Sequence, residues 1–303
     1  MNRAQRGVAV ITAILIVAVA ASTAALMLSQ QSATLDQVAL VASRAQADLY
    51  ARAGLDWARG VLLQDMATGA TYDGLDEQWA QPIAALPVDR AIVAGAIADE
   101  QGKFNLNNLY IGGARSDVDY KAFQRLLASL GLSPDLADAV VDWIDPDSNL
   151  SGSGGAEDPY YLSLAKPYRT ANAPMVQVEE LYRVRGFDAA TVQKLRPYVT
   201  ALPAQARLPV NINTASSVVL AAMLPTVPPE KIAAAISMRA TRPFKGTDDI
   251  TKWAGTAVDG LDVKSSYFSI RIQVAQDDVN LATDALVARG GGQVAVVWRR
   301  PVF

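Results

Sequence analysis

The hydrophobic pattern changes character along this chain. Residues 8–28 (VAVITAILIVAVAASTAALML) run 21 residues without a charge. At 1.5 Å rise per residue, one helix of that length crosses the roughly 30 Å core of a bilayer. From Ser29 the pattern turns amphipathic. Leu35, Val38, Ala42, Ala45, Leu49, Ala53, Trp57 and Val61 recur every three to four residues, with Asp36, Arg44, Asp48, Arg52 and Arg59 between them. One long helix is predicted over residues 8–66. Its first half suits a membrane or a filament core, and its second half packs on a globular domain. Gly69, Gly74 and Pro82 mark a loop after it.

Residues 91–99 (AIVAGAIAD) read as a strand, and Glu100-Gln101-Gly102-Lys103 as a turn. The asparagines of FNLNNL (104–109) are most simply a turn with local side-chain bonding. From Ser116 to about Lys264 the character is helical. Ser133 with Pro134, Asp188 after Gly186-Phe187, Thr214 after VNIN, and Val227-Pro228-Pro229-Glu230 each open a helix. These repeats resemble helix-hairpin-helix units. Residues 266–276 (SYFSIRIQVAQ) return to strict alternation, with Phe268, Ile270, Ile272 and Val274 on one face. Residues 280–287 and 293–299, separated by Gly290-Gly291-Gly292, give a last strand pair. The economical fold class is α+β: a long helix on a small antiparallel sheet, with an all-α domain inserted between the strands.

Composition narrows the chemistry. The 303 residues suggest about two domains. There is no Cys and no His, which excludes disulfides, thiol nucleophiles, Ser-His-Asp triads and the usual zinc sites. The formal charge is −3, so nothing advertises a nucleic-acid surface. The flank before the apolar run carries Arg3 and Arg6 and no acid, which keeps it cytoplasmic and places the bulk of the chain across the membrane. A secretory signal would put a small-residue cleavage site after the run. Here Gly7 precedes it. The stretch is either a plain anchor or a processed leader.

The densest set of oxygen ligands is Asp145-Pro146-Asp147-Ser148-Asn149-Leu150-Ser151, followed by Gly152, Gly154, Gly155, Glu157 and Asp158. Its opening resembles an EF-hand loop, but Leu150 stands where the turn glycine belongs and Glu157 comes one residue late. Asp145, Asp147, Glu157 and Asp158 are candidate calcium ligands; Asp142, one turn earlier, either joins them or caps. The alternative is a solvated acidic turn. A second candidate, the hairpin at Thr226-Val227-Pro228, sits where DNA-binding relatives of the motif carry glycines. Pro228 has no N–H for a phosphate, so structural reuse of the motif is the better reading. Asp248/Asp249 and Asp277/Asp278 read as exposed charge rather than acid–base dyads.

Taken in order, the leader, DEQGKFNLNNL (99–109), DWIDPDSN with GAEDPYY (142–161), VEELYRVRGFD (178–188) and VNINTAS (210–216) resemble the K-type minor pseudopilins of bacterial type II secretion over essentially the whole chain. The resemblance implies a type IV pilin-like fold. It implies a leader at 1–7, cut between Gly7 and Val8 by a prepilin peptidase, with methylation. It implies a helix at 8–66 with 8–28 in the inner membrane, sheet parts at 67–109 and 265–303, and an inserted α-domain at 110–264, divided near 208. Most pilins hold a Glu where Thr12 stands. A buried carboxylate persists only beside a partner, so Thr12 implies a special subunit at the filament tip. The implied partners are the I- and J-type minor pseudopilins, with the H type, the major pseudopilin, secreted substrates and the outer-membrane secretin behind them, and no nucleic acid. The implied cofactor is calcium, and the implied location is a single-pass inner-membrane protein with its C-terminal bulk in the periplasm. A membrane-anchored DNA-binding module and an anchored exported enzyme are the competing readings.

Overall fold

The computed structural model describes residues 3–203 and 205–302, with side chains from Val10 onward. The processing point at Gly7 and Val8 therefore lies outside the described side chains. Helix α1 spans Arg3–Ala67. Residues 10–42 are exposed throughout, and an 18-residue window there reaches a mean hydropathy of 2.5, enough to cross a bilayer by length and composition. Farther along, one face is buried: Ala47, Ala51, Leu55, Ala58 and Leu62, spaced by a helical turn.

That buried face is not the stripe drawn from the sequence. Leu35, Val38, Leu49 and Trp57 are exposed, Trp57 at 53%. The reason is steric. The helix lies close on the sheet, and the side chain of Ile272 sits against Gly54, 3.1 Å from where a Cβ would be. Alanines and glycine admit this approach; the larger apolar side chains are left on the free face.

The sheet has five antiparallel strands in chain order: β1 (Ile83–Val88), β2 (Ala91–Asp99), β3 (Tyr267–Gln276), β4 (Val279–Gly290) and β5 (Gln293–Val302). The predicted strands are present. β1 was not legible, because IAALPV lacks alternation and holds Pro87, which suits an edge strand with an irregular register. Phe268, Ile270, Ile272 and Val274 point to α1 as their alternation required. Trp79 packs edge-on against Phe268 in the same core. β2 and β3 pair from Ala91↔Gln276 to Asp99↔Phe268, although the helical domain intervenes between them.

That domain contains α2 (Asp117–Ser129), α3 (Leu136–Ile144), α4 (Asp158–Leu162), α5 (Ala189–Leu195), α6 (Ser217–Met223), α7 (Pro229–Arg239) and α8 (Thr247–Ala254). Its buried apolar residues form two clusters, one around Phe123, Val141 and Tyr161, the other around Ile212, Leu220 and Ile250. Two helix starts differ from expectation. Ser133 heads a turn, and α3 begins at Leu136. Ser216, not Thr214, caps α6; the Thr214 hydroxyl is drawn instead to Asp99 Oδ2 at 2.6 Å. Asp188 caps α5 as read.

The asparagine cluster does more than turn the chain. Asn107 Nδ2 donates to the Met175 and Leu202 carbonyls, and its Oδ1 accepts the Met175 N–H at 2.8 Å. Asn108 pairs in the same two-sided way with the Leu208 backbone, and Asn213 with Phe244. Asn105 Oδ1 accepts both Asn107 N–H and Leu202 N–H. Each side-chain amide thus supplies the donor and acceptor that a neighbouring strand would offer, which satisfies buried loop backbone without a sheet. Asn107→Ala is expected to lower the stability of the helical domain by about 2–3 kcal/mol, since it strands buried backbone groups. Denaturant unfolding followed by circular dichroism checks this; an unchanged midpoint would show that water replaces the amide.

Candidate metal centre

α3 ends in an acidic face. Asp138 and Asp142 are one turn apart, so both project to the same side, and Asp145 takes the C-terminal capping position. The chain then loops through the glycines and returns at Glu157, which precedes α4. Asp138 Oδ2 accepts the Gly154 N–H at 3.1 Å, and Asp142 Oδ1 accepts the Ser151 N–H at 2.8 Å. The carboxylates of α3 thereby hold the loop by its backbone. Gly154 and Gly155 are required by that approach: a Cβ would overlap the Asp135 carbonyl at the first and Asp142 Oδ2 at the second.

This folding brings Asp145, Asp147 and Glu157 together. Each offers a carboxylate oxygen, and these lie within 4.8 Å of one another. Asp145, Glu157 and Asp142 are buried. Asp142 Oδ2, Asp145 Oδ1 and both oxygens of Glu157 are shielded from solvent and find no hydrogen-bond partner among the described residues. Burial, then the neighbouring Asp147 and Asp142, pushes the Asp145 carboxyl up to about 6. Burial, then Asp142, Asp145 and Asp147, pushes Glu157 up to about 7. Burial also raises Asp142. Converging buried oxygens without donors are costly alone and suit a hard divalent cation such as calcium, which takes six to eight oxygens in irregular geometry.

Asp158 does not join them. It begins α4, and its Oδ1 accepts from Thr170 N at 3.0 Å while Oδ2 pairs with Arg169 at 3.1 Å. A residue not singled out from sequence, Asn172, reaches the loop from the next segment. It has a positive φ of 44°. Its Nδ2 donates to the Asp147 carbonyl at 3.4 Å, and its Oδ1 is buried without a partner among the described residues. Asp138 was legible as an i, i+4 partner of Asp142; Asn172 carried no local signal. Beneath the loop, Trp143, Tyr161 and Tyr168 pack ring to ring, and Arg185 donates to the Gly155 carbonyl at 2.6 Å. The VEELYRVRGFD run thus braces the site from below.

A second acidic group, Asp65, Asp73 and Glu77, has its own cation: Arg289 pairs with Asp65 and Asp73. In the hairpin between α6 and α7 the nearby Arg239 is turned inward, donating to the Ile212 and Ala215 carbonyls at 2.6 Å. That leaves it unavailable to a phosphate backbone, and the nucleic-acid reading is not supported.

Comparison with known proteins gives one consistent result. Residues 102–204 and 210–271 match family models described as type II secretion system protein K. A type II secretion system protein K of Pseudomonas aeruginosa is 34% identical, covering 99% of this chain and 93% of that one. The protein of that name from Aeromonas hydrophila is also 34% identical, covering 98% and 97%. A chain in the crystal structure of the GspK–GspI–GspJ complex of enterotoxigenic Escherichia coli superposes with a TM-score of 0.76 at 24% identity, covering 86% of this chain and 97% of that one.

The unpartnered Glu157 carboxylate sets a sign. In EDTA at pH 8, Glu157→Gln is expected to melt at the same temperature as the parent protein or a few degrees higher, because it removes a buried charge without losing a hydrogen bond. A clear fall in the calorimetric transition would show that protein donors satisfy the carboxylate.

Proposed function

The chain belongs to the type II secretion system protein K family, and from that membership we propose that it is a structural minor pseudopilin acting at the tip of a periplasmic pseudopilus. One observation carries this reading. α1 is continuous from a fully exposed apolar stem to a half locked onto the sheet, so the stem and the folded head form one rigid piece. Before assembly the stem sits in the inner membrane as a single span, with Arg3 and Arg6 on the cytoplasmic side. After cleavage between Gly7 and Val8 it moves into the filament. The free face of α1, with Leu35, Val38, Leu49 and Trp57, faces the helices of neighbouring subunits. The fold neighbour was solved in a complex with GspI and GspJ, which supports I- and J-type partners here. The helical domain, inserted between β2 and β3, would obstruct a subunit above it, in keeping with a terminal position.

Calcium fits the acidic loop. Asp145, Asp147 and Glu157 would hold it, with Asp142 Oδ2 and Asn172 Oδ1 as the further buried oxygens at hand. Bound, it supplies the positive charge that these carboxylates lack and fixes the loop in a chain without disulfides.

Two outcomes are expected. Gly7→Asp should accumulate as the unprocessed precursor on immunoblots of membrane fractions; normal trimming of that variant would refute the leader. Calcium, but not magnesium, should raise the melting temperature of EDTA-treated protein by roughly 5–10 °C at a hundredfold excess over its dissociation constant. Asp147→Ala should abolish the rise. An equal rise in that variant would place the ion elsewhere.

A further inference from the structure

The outer face of the sheet, opposite α1, carries a cleft that the pseudopilin reading does not use. Its floor is set by register. Ala96, Arg271, Asp284 and Arg300 form one row across β2 to β5, and Ala98, Ser269, Leu286 and Trp298 form the next. The helical domain supplies the facing wall, through Val176, Glu179 and Arg196. The cavity between them is about 380 Å³, within the roughly 300–1,000 Å³ of ligand sites.

The charges in this cleft are layered. Arg271 holds Asp284 through two bonds at 2.6 and 2.7 Å. Lys103 pairs with Glu100. Arg196 and Arg300 both turn to the same oxygen of Glu179, at 2.8 and 3.4 Å. Four cations thus meet three acids, in a chain whose formal charge is −3. The acids are also the deeper groups: Asp284 and Glu100 are 14% and 12% exposed, while Arg196 and Arg271 are 57% and 55% exposed. The mouth therefore presents guanidinium groups with donors in excess of the acceptors below. Arg300 lies 4.9 Å over the Trp298 ring, and the indole N–H is buried with no acceptor among the described residues. Val176, exposed at 66%, adds an apolar lip.

We propose that this cleft binds an extended acidic segment of a second polypeptide, a carboxylate accepting from the guanidinium N–H groups of Arg196 and Arg300 that Glu179 and Gln177 do not use, and an apolar neighbour resting on Trp298 and Val176. Small side chains at Ala96, Ala98 and Ser269 let a chain lie close to the sheet. Arg and Trp are the residue types that carry most energy at such contacts. The occupant is a soluble protein of the compartment outside the membrane rather than another filament subunit, because the cleft opens away from α1, the helix through which subunits pack. That choice of source rests on the pseudopilin reading; the chemistry of the cleft does not.

The test uses full-length protein in nanodiscs and the fluorescence anisotropy of a labelled, end-blocked peptide alternating leucine and glutamate. Binding is expected, weakening as salt rises, and at least tenfold tighter than for the leucine–lysine peptide. Arg196→Gln with Arg300→Gln should weaken it tenfold or more. Val176→Asp, at an exposed position without an ion pair, should weaken it through repulsion without disturbing the fold. Equal binding of both peptides, or binding unchanged in Val176→Asp, would overturn the proposal. A photo-cross-linking residue at position 176 in cells separates the sources: capture of a pilin-like subunit would overturn the assigned occupant, whereas failure of peptide binding would leave the assembly reading untouched.

Discussion

Everything above the helix depends on one buried carboxylate. Asp99 closes β2 at the point where the chain leaves the sheet for the helical domain. Its Oδ2 accepts from Asn211 Nδ2 at 2.9 Å, Thr214 Oγ1 at 2.6 Å and Ser265 Oγ at 2.7 Å, and its Oδ1 accepts from Gln101 N at 2.8 Å. Ser265 lies just before β3, where the chain returns. Asn211 opens the second half of the domain. Departure, midpoint and return are therefore tied to a single group. Burial raises its proton affinity and the four donors oppose that rise, so the carboxylate is stable there only while the junction is closed. The network continues outward. Ser265 N donates to Asp73 at 2.7 Å, and Arg289 joins Asp73, Asp65 on α1 and the Ser265 carbonyl. A large domain thus stands on a small sheet without a covalent staple.

How far the sequence disclosed this depends on the range of the interaction. Alternation in β3 and the turn of the last hairpin are local, and they read correctly. So did the continuity of α1 and its end near Ala67, though the helix starts at Arg3, ahead of the expected Val8. The face of α1 that packs did not. Large apolar residues drew the stripe, but the sheet selects Ala47, Ala51 and Ala58 for closeness, and volume rather than hydrophobicity decides the contact. The asparagines were read in part: Asn105 makes the expected local turn bond to the Asn107 N–H, but the distant bonds were not legible. Their turn propensity is local, while their partners Met175, Leu202 and Leu208 lie 68 to 100 residues away.

The metal centre divides in the same way. Asp145, Asp147 and Glu157 were legible from the density of oxygen ligands, and the structure gathers them. Asp158 was legible too, yet α4 begins there and commits its carboxylate to Thr170 and Arg169. Here Glu157 precedes the helix and joins the centre, whereas Asp158 starts it and is held elsewhere. Asn172 comes from a separate segment and could be found only in three dimensions. The glycines stood in the sequence without an assigned role. Their work is steric: Gly154 and Gly155 let the loop backbone touch Asp135 and Asp142, which gives the acidic stretch its shape.

The two faces of the sheet then take different tasks. The inner face is apolar and close-packed, so it transmits position from α1 to β3 and β4 with little play. The outer face mixes small residues, Ala96, Ala98 and Ser269, with arginines held in pairs by deeper acids. It suits a chain that lies along it and supplies acceptors to arginines already positioned by their own acids. The helical domain makes this possible by its placement: it is tied to the end of β2 through Asp99. The wall it sets beside Trp298 is held to the sheet a second time, by the bonds of Arg300 to Gln177 and Glu179.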